Sequence, residues 1–215
     1  MSIIFNGLNS LLNFVFNITG DWGIAIVLLT LFIRVILLPL SIKQKINLNK
    51  QQSLQEKTEA LKIKYKNNKK KLDEEILKLQ QENFKTMIGC LSSLLQLPII
   101  SSLYYVIIRM PVDAGTYLIP WITSIKLPDK YFILPFIYIL VSLMPNLLPY
   151  IKFLKLKKQN NINVSNLLVT VVFSLIISIK APIALGIYFI TTSLFSLIEE
   201  IGFKLYYNNI TINKA

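Results

Sequence analysis

Apolar residues in this chain are gathered into five runs of roughly 16–22 residues, separated by segments rich in Lys. A helix rises ~1.5 Å per residue, so runs of that length cross about 30 Å of hydrocarbon. Buried helices of a soluble domain carry shorter apolar stripes, interrupted by charge on every turn. Hydrophobic residues make up 53% of the 215, and mean hydropathy is +0.55, an excess over ordinary soluble composition. The expected fold class is therefore all-α: a polytopic membrane protein of five transmembrane helices, with an N-terminal interfacial helix and a cytoplasmic helical hairpin.

Local signals set the expected boundaries within a single domain, 1–215. Residues 2–20 place Asn6, Asn9, Asn13 and Asn17 in one helical stripe. Four amides are expensive in hydrocarbon, whereas a helix lying in the interface keeps them wet. Gly20-Asp21 breaks that helix, and Trp22 anchors the first span, 22–42, which Pro39 closes. Residues 43–86 hold 12 Lys and 6 acidic residues. Leu54, Leu61 and Tyr65 before Asn67-Asn68, and Leu72, Ile76 and Leu79 after it, draw a thin apolar seam on each arm of a helical hairpin. The remaining spans are expected over 87–108, 131–150, 164–179 and 181–201, with a Pro-rich loop at 109–130. The apolar stretches of the fourth, 164–179, and of the fifth, Pro182–Ile198, are short, about 24–26 Å, and the fifth stops at Glu199-Glu200. Spans that short let the bilayer thin locally.

The net charge of +12 does not point to nucleic acid. The basic residues are nearly all Lys and lie between the apolar runs, which is the pattern of the positive-inside rule, and no sequence-specific nucleic-acid partner is expected. With residues 43–86, 152–158 and the tail in the cytoplasm, 18 of the 23 basic residues are inside and four outside. The orientation predicted is N-terminus out and C-terminus in, as a multi-pass membrane protein. The opening residues lack a basic n-region and a small-residue cleavage site, so no removable signal peptide is expected. The one cysteine, Cys90, falls in an apolar run and reads as a small buried thiol.

Arg34 is the one basic residue inside a span. It lies 12 residues past Trp22, about 18 Å along the helix. A guanidinium cannot be neutralised, and it costs roughly 2.5–3.5 kcal/mol at mid-membrane on insertion scales. With the fifth span ending at Glu199-Glu200, no Asp or Glu is available inside a span to pair with it. Arg34 therefore predicts a hydrated cavity, with Thr30 one turn earlier on the same face. Polar residues recur every fourth position elsewhere: Asn166, Thr170, Ser174 and Ser178 in the fourth span, Ser92 and Gln96 in the second, Tyr188, Thr192 and Ser196 in the fifth. A single such stripe is as readily helix–helix hydrogen bonding. Several, together with Arg34, favour a polar groove.

Absences narrow the chemistry. The chain has no His, so it offers no Ser-His or Cys-His dyad and no histidine metal site. No P-loop occurs among its seven Gly. Neither catalysis, a cofactor nor a metal is expected, and the chain reads as a passive device with a charged, wet pocket.

Three separated motifs resemble the YidC/Oxa/Alb membrane protein insertases. D-W-G-I-A-I-V-L-L-T-L-F-I-R-V-I-L-L-P-L-S-I-K-Q (Asp21–Gln44) is similar to that family's first core span, arginine and terminal proline included. G-C-L-S-S-L-L-Q-L-P-I-I-S-S-L-Y-Y-V (Gly89–Val106) is similar to its second span, and A-P-I-A-L-G-I-Y-F-I-T-T-S-L-F-S-L-I-E-E (Ala181–Glu200) to its last. The resemblance implies a five-span insertase with a cytoplasm-open groove that holds Arg34, with Gln96 beside it on the second span. It implies nascent membrane proteins and the lipid bilayer as partners, with the ribosome and the Sec translocon as further candidates. Ser92 stands where the family usually has proline, and Ala184, Phe189 and Ser193 where it has Gly, Trp and Asn, departures that mark a candidate divergent paralogue with a narrower client range. No long basic ribosome-binding tail is expected after the last span. The residues alone also admit a small channel or transporter for an anionic solute, or an assembly factor for membrane complexes. The Lys-rich hairpin favours insertion, since a solute carrier has little use for a basic cytoplasmic arm.

Overall fold

The computed structural model describes residues 2–66, 68–82, 96–109, 115–148 and 164–212. Among these the regular elements are all helices: α1 (Ser2–Thr19), α2 (Trp22–Lys64), α3 (Lys69–Glu82), α4 (Gln96–Arg109), α5 (Ile133–Leu147), α6 (Val164–Lys180) and α7 (Ile183–Ile212). The all-α expectation holds. Two helices contain stretches long and apolar enough to cross a membrane, Trp22–Asn47 in α2 and Ile183–Tyr206 in α7. Pro98–Arg109, Ile133–Pro145 and Thr170–Lys180 are shorter apolar helical stretches.

Two helices run past the points where the sequence reading stopped them. Pro39 lies inside α2, which continues to Lys64. A proline removes one backbone donor, and a long helix of good formers absorbs that single loss. Glu199-Glu200 likewise lies inside α7, which continues to Ile212. Acidic residues end an apolar run but leave backbone hydrogen bonding intact, and here Lys204 Nζ pairs with Glu200 Oε1 at 3.7 Å one turn on. The fifth apolar segment is consequently not short: Ile183–Tyr206 spans 24 residues, about 36 Å.

The chain forms two compact units, one of Met1–Val35 with Ile100–Ala215 and one of Ile36–Ile99. The second unit holds the helix–turn–helix expected from the Lys-rich segment. Asn68 donates its backbone N–H to Tyr65 O, and its side chain then caps α3 by accepting from Lys71 N–H at 3.3 Å. Asn67 lies outside the described residues.

In the first unit, α5 packs against both α6 and α7. The loop of residues 115–132 holds the starts of three helices. Asp21, 3% exposed, caps α2 by accepting from Ile24 N–H at 2.8 Å. It also accepts from the Thr116 hydroxyl and the Tyr117 N–H, both at 2.7 Å. Gly23 permits that closure, because a Cβ there would collide with the Thr116 hydroxyl and lie 2.9 Å from its Cβ. Asp129 does the same for α5, accepting from Leu134 N–H at 2.9 Å and Tyr131 N–H at 3.1 Å. Ile183 and Ala184 at the start of α7 donate to Leu127 O and Ile125 O.

The core of this unit draws on Ile26, Ile107, Ile125, Leu134, Ala184 and Ile187, all 7% exposed or less. The outer helix surfaces are apolar as well: Phe32, Val35, Phe136, Ile176 and Ile198 are each more than half exposed. Burying such surfaces in lipid, and not in water, accounts for them. Hydroxyls inside turn back on their own helices, as with Thr30 to Ile26 O at 2.6 Å and Thr191 to Ile187 O at 2.8 Å.

Candidate functional site

Arg34 sits on α2, half-buried, one turn after the buried Thr30. Thr30 spends its proton on Ile26 O, so its hydroxyl can offer only lone pairs to a neighbour. Arg34 interacts electrostatically with two residues of α7, Tyr188 and Glu199. These residues share a face: steps of four, four and three along α7 bring Tyr188, Thr192, Ser196 and Glu199 into one stripe. Thr192 Oγ1 and Glu199 Oε1 are both buried.

The sequence reading takes Glu199 only as the end of a span, which leaves Arg34 without a counter-charge. α7 continues past Glu199, and the Glu199 carboxylate acts on the guanidinium electrostatically, as does Tyr188. The signal that could have found it is the register, since Glu199 falls three turns after Tyr188 on the same helical face.

Phe189 packs between two phenols, stacked on Tyr138 at 5.3 Å and edge-on to Tyr188 at 5.6 Å between centroids. Tyr188 itself is only 3% exposed. Along α6, Ser174 faces α5: its Oγ lies 3.3 Å from Ser142 Oγ, and it hydrogen-bonds Tyr138 as well. Ser178 is buried and returns its hydroxyl to Leu175 O. Within that stripe Ser174 is taken up by helix–helix hydrogen bonding, while Ser178 bonds its own helix. Thr170 is half-buried on α6. Gln96 opens α4 and Asn166 lies in the first turn of α6, but their side chains are outside what is described, and so are Ser92 and Cys90. Among the described residues the structure brings Arg34, Thr30, Tyr188 and Thr192 to α2 and α7, with Ser174 engaged by α5. No cluster of His, Cys, Asp or Glu that could hold a metal occurs among them.

Comparison with known proteins gives a consistent set of relatives. The family profile described as "60Kd inner membrane protein" matches residues 14–210. A protein of Clostridium perfringens (strain 13 / Type A), named membrane protein insertase YidC, is 34% identical over 191 residues, covering 86% of this chain and 79% of that one. A protein of the same name from Fusobacterium nucleatum is 31% identical over 206 residues, covering 93% of this chain and 96% of the relative. One from Aquifex aeolicus reaches 40% over 138 residues, but that match is 64% of this chain and only 27% of a much longer relative. With nearly its whole length accounted for by one profile, the chain belongs to the 60Kd inner membrane protein family.

Proposed function

We propose that this protein is a membrane insertase of the YidC type: it receives hydrophobic segments of nascent proteins at a hydrated, cytoplasm-open groove and releases them sideways into lipid. The observation that carries the proposal is Arg34, a guanidinium half-buried within the apolar stretch Trp22–Asn47 of α2. A fixed positive charge in a low-dielectric groove attracts acidic residues of a client's translocated tail. Burial of the client's apolar segment in lipid, worth roughly 25 cal/mol per Å², then drives release. The groove is lined from α2 and α7 by Thr30, Arg34, Tyr188 and Thr192, with Thr170 and Ser174 on α6. Nascent membrane proteins are its clients, delivered by the ribosome or the Sec translocon, and no step needs a cofactor.

Five spans, N-terminus out and C-terminus in, fit this function and place it in the bacterial cell membrane as a multi-pass protein. The helix starts of α2, α5 and α7 all meet the 115–132 loop, which supports a common outer level for them. α1 then lies in the outer interface with Phe14 and Ile18, 61% and 69% exposed, toward lipid. Cysteine introduced at Asn68 in a Cys90→Ser background is expected to resist impermeant thiol reagent in intact cells, while cysteine at the 86%-exposed Tyr117 reacts readily. Equal labelling rates at the two positions are incompatible with this orientation.

The hairpin serves client capture and not groove integrity, because residues 36–99 form a compact unit of their own with a Lys-dense surface. Deleting residues 67–71 is expected to leave the protein folded and inserted but to slow client delivery severalfold. Rapid degradation of the deletion variant would make the hairpin structural instead.

The direct test of the function is reconstitution. Purified protein in liposomes is expected to raise the protease-protected yield of a single-span client above empty liposomes. Photocrosslinkers at Thr30 and Thr192 are expected to trap that client. A solute flux with no client insertion would replace the proposal with a channel.

A further inference from the structure

We propose that the 115–132 loop is a lipid-docking surface, which takes the headgroup of an anionic phospholipid among Lys126, Lys130 and Lys180. The backbone gathers these three cations at one end of the helices. Ile183 and Ala184 at the start of α7 donate to Leu127 O at 2.9 Å and Ile125 O at 3.0 Å, the carbonyls on either side of Lys126. Lys180 closes α6 just before that contact, and Lys130 follows Asp129 in the turn into α5. Lys130 and Lys180 are exposed, and Lys126 is half-buried. Among the described residues, the carboxylates at this end are turned inward. Asp21 and Asp129 are buried and spend their oxygens on the N–H groups of Ile24, Tyr117, Tyr131 and Leu134. The surface that the loop turns outward is therefore positive.

Lysines alone are the ordinary flank of a span, and it is the rings among them that point to lipid. Tyr117, Tyr131 and Phe132 are each more than half exposed, with Trp121 and Leu127 exposed beside them in the loop. Tyr and Trp among Lys is the composition of a membrane–water boundary, where a ring keeps its body in acyl chains and its polar edge among headgroups. Phe132 adds an independent observation. Its φ is 55°, in the left-handed region, a costly conformation for a bulky side chain. The ring gains little burial within the protein in return, whereas seating it in the leaflet removes it from water. The patch also runs on without a break into helix surface that is apolar and exposed, through Ile133 and Phe136 on α5 and Ile176 and Ile179 on α6. Lipid already accounts for that surface, so lipid is the occupant the loop edge fits. A zwitterionic headgroup brings its own cation to the phosphate and gains little from three ammonium groups. An anionic headgroup gains from each of them.

This inference goes beyond the insertase reading and does not depend on it, since lipid docking is measured with no client present. The chain's two tryptophans, Trp22 beside the Asp21 clamp and Trp121 in the loop, both lie at this end. The intrinsic fluorescence of the full-length protein in nanodiscs therefore reports on it. Brominated acyl chains are carried either by phosphatidylglycerol or by phosphatidylcholine, at the same mole fraction in the same mixture. Quenching by the brominated phosphatidylglycerol is expected to be roughly two- to fivefold stronger, the scale of one lysine at an anionic surface. Lys126→Gln/Lys130→Gln/Lys180→Gln is expected to bring the two lipids to parity while both still quench. Lys69→Gln/Lys70→Gln/Lys71→Gln, in the hairpin, and Trp22→Phe, which leaves Trp121 as reporter, are expected to keep the preference. A second measurement needs no variant: at about 1 M salt, where the Debye length is ~3 Å, the wild-type preference is expected to shrink toward parity. Equal quenching by the two lipids in wild type overturns the proposal. So does a preference that survives in the triple loop variant or at high salt, or one that is lost with Trp22. Quenching by aqueous acrylamide and by neither lipid overturns it too, and leaves the loop as a face for another protein. None of these outcomes bears on client insertion, which is read separately through Arg34.

Discussion

Arg34→Ala is expected to cut insertion of a client with two acidic tail residues about tenfold or more, and to affect a neutral-tailed client far less. Within a partly wet groove one charge contact contributes about 1–4 kcal/mol, from an effective dielectric between that of water and ~20, and ~1.4 kcal/mol is a factor of ten. Arg34→Lys keeps the charge but loses the planar fork, so most activity is expected to remain. The measurement is the protease-protected yield in liposomes for the three tails in the three backgrounds. Equal defects across all tails in Arg34→Ala would assign the residue to groove hydration or folding, and client attraction would have to be abandoned.

The second large effect is on stability. Asp21→Ala removes the cap of α2 and at the same stroke the tie to Thr116 and Tyr117. A lost cap costs about 1 kcal/mol, and the part-buried Thr116 and Tyr117 donors, left unmet, cost about 1 kcal/mol more each, the low end of the range. An expected loss of about 3 kcal/mol corresponds to a fall of roughly 6–12 °C in apparent Tm for a chain of this size. Acid should reproduce part of it. Burial pushes the Asp21 carboxyl up, but hydrogen bonds from Ile24, Thr116, Tyr117 and Gly23 together outweigh burial and hold it below its ordinary 3.8. The stability this contributes is present above 3.8 and is lost as pH falls through the lower folded value. Wild type should therefore lose apparent Tm in that window while Asp21→Asn stays flat. Thermal unfolding in detergent that left Asp21→Ala within about 2 °C of wild type, by the size scaling just used, would refute the clamp.

Much of the architecture was legible because a bilayer fixes the length of what crosses it. Apolar runs and Lys-dense gaps located every described helix, and Asn68 marked the hairpin turn where α2 and α3 meet. Helix ends were less legible. Glu199-Glu200 closes an apolar run, but a helix ends where backbone hydrogen bonding is interrupted, and nothing between Glu199 and Ile212 interrupts it. Arg34 stood out as a lone charge in an apolar run. The α7 residues that act on it electrostatically, Tyr188 and Glu199, did not, because an interaction across two helices depends on their relative register, which a linear pattern does not carry. The same limit applies to Ser174. A period of four names the face of α6 that is polar but not the helix that meets it, and that helix is α5 through Ser142. Asp21 read only as a helix breaker, since its second role depends on residues 95 and 96 positions away.

The 115–132 loop has a mechanical consequence. Helices gripped at one end by Asp21, Asp129 and the carbonyls of Ile125 and Leu127 behave like the tines of a fork held at its handle. Play at the grip is small, but displacement grows with distance from it. Over the ~36 Å of apolar α7, a tilt of about 5° moves the far end by ~3 Å, the scale of a packed-helix shear. Arg34 lies about midway along its tine, Glu199 further out on the other, and Tyr188 near the root. Any parting of these helices is therefore expected to be wider away from the 115–132 loop than beside it, the direction that the proposed sideways release of a client requires.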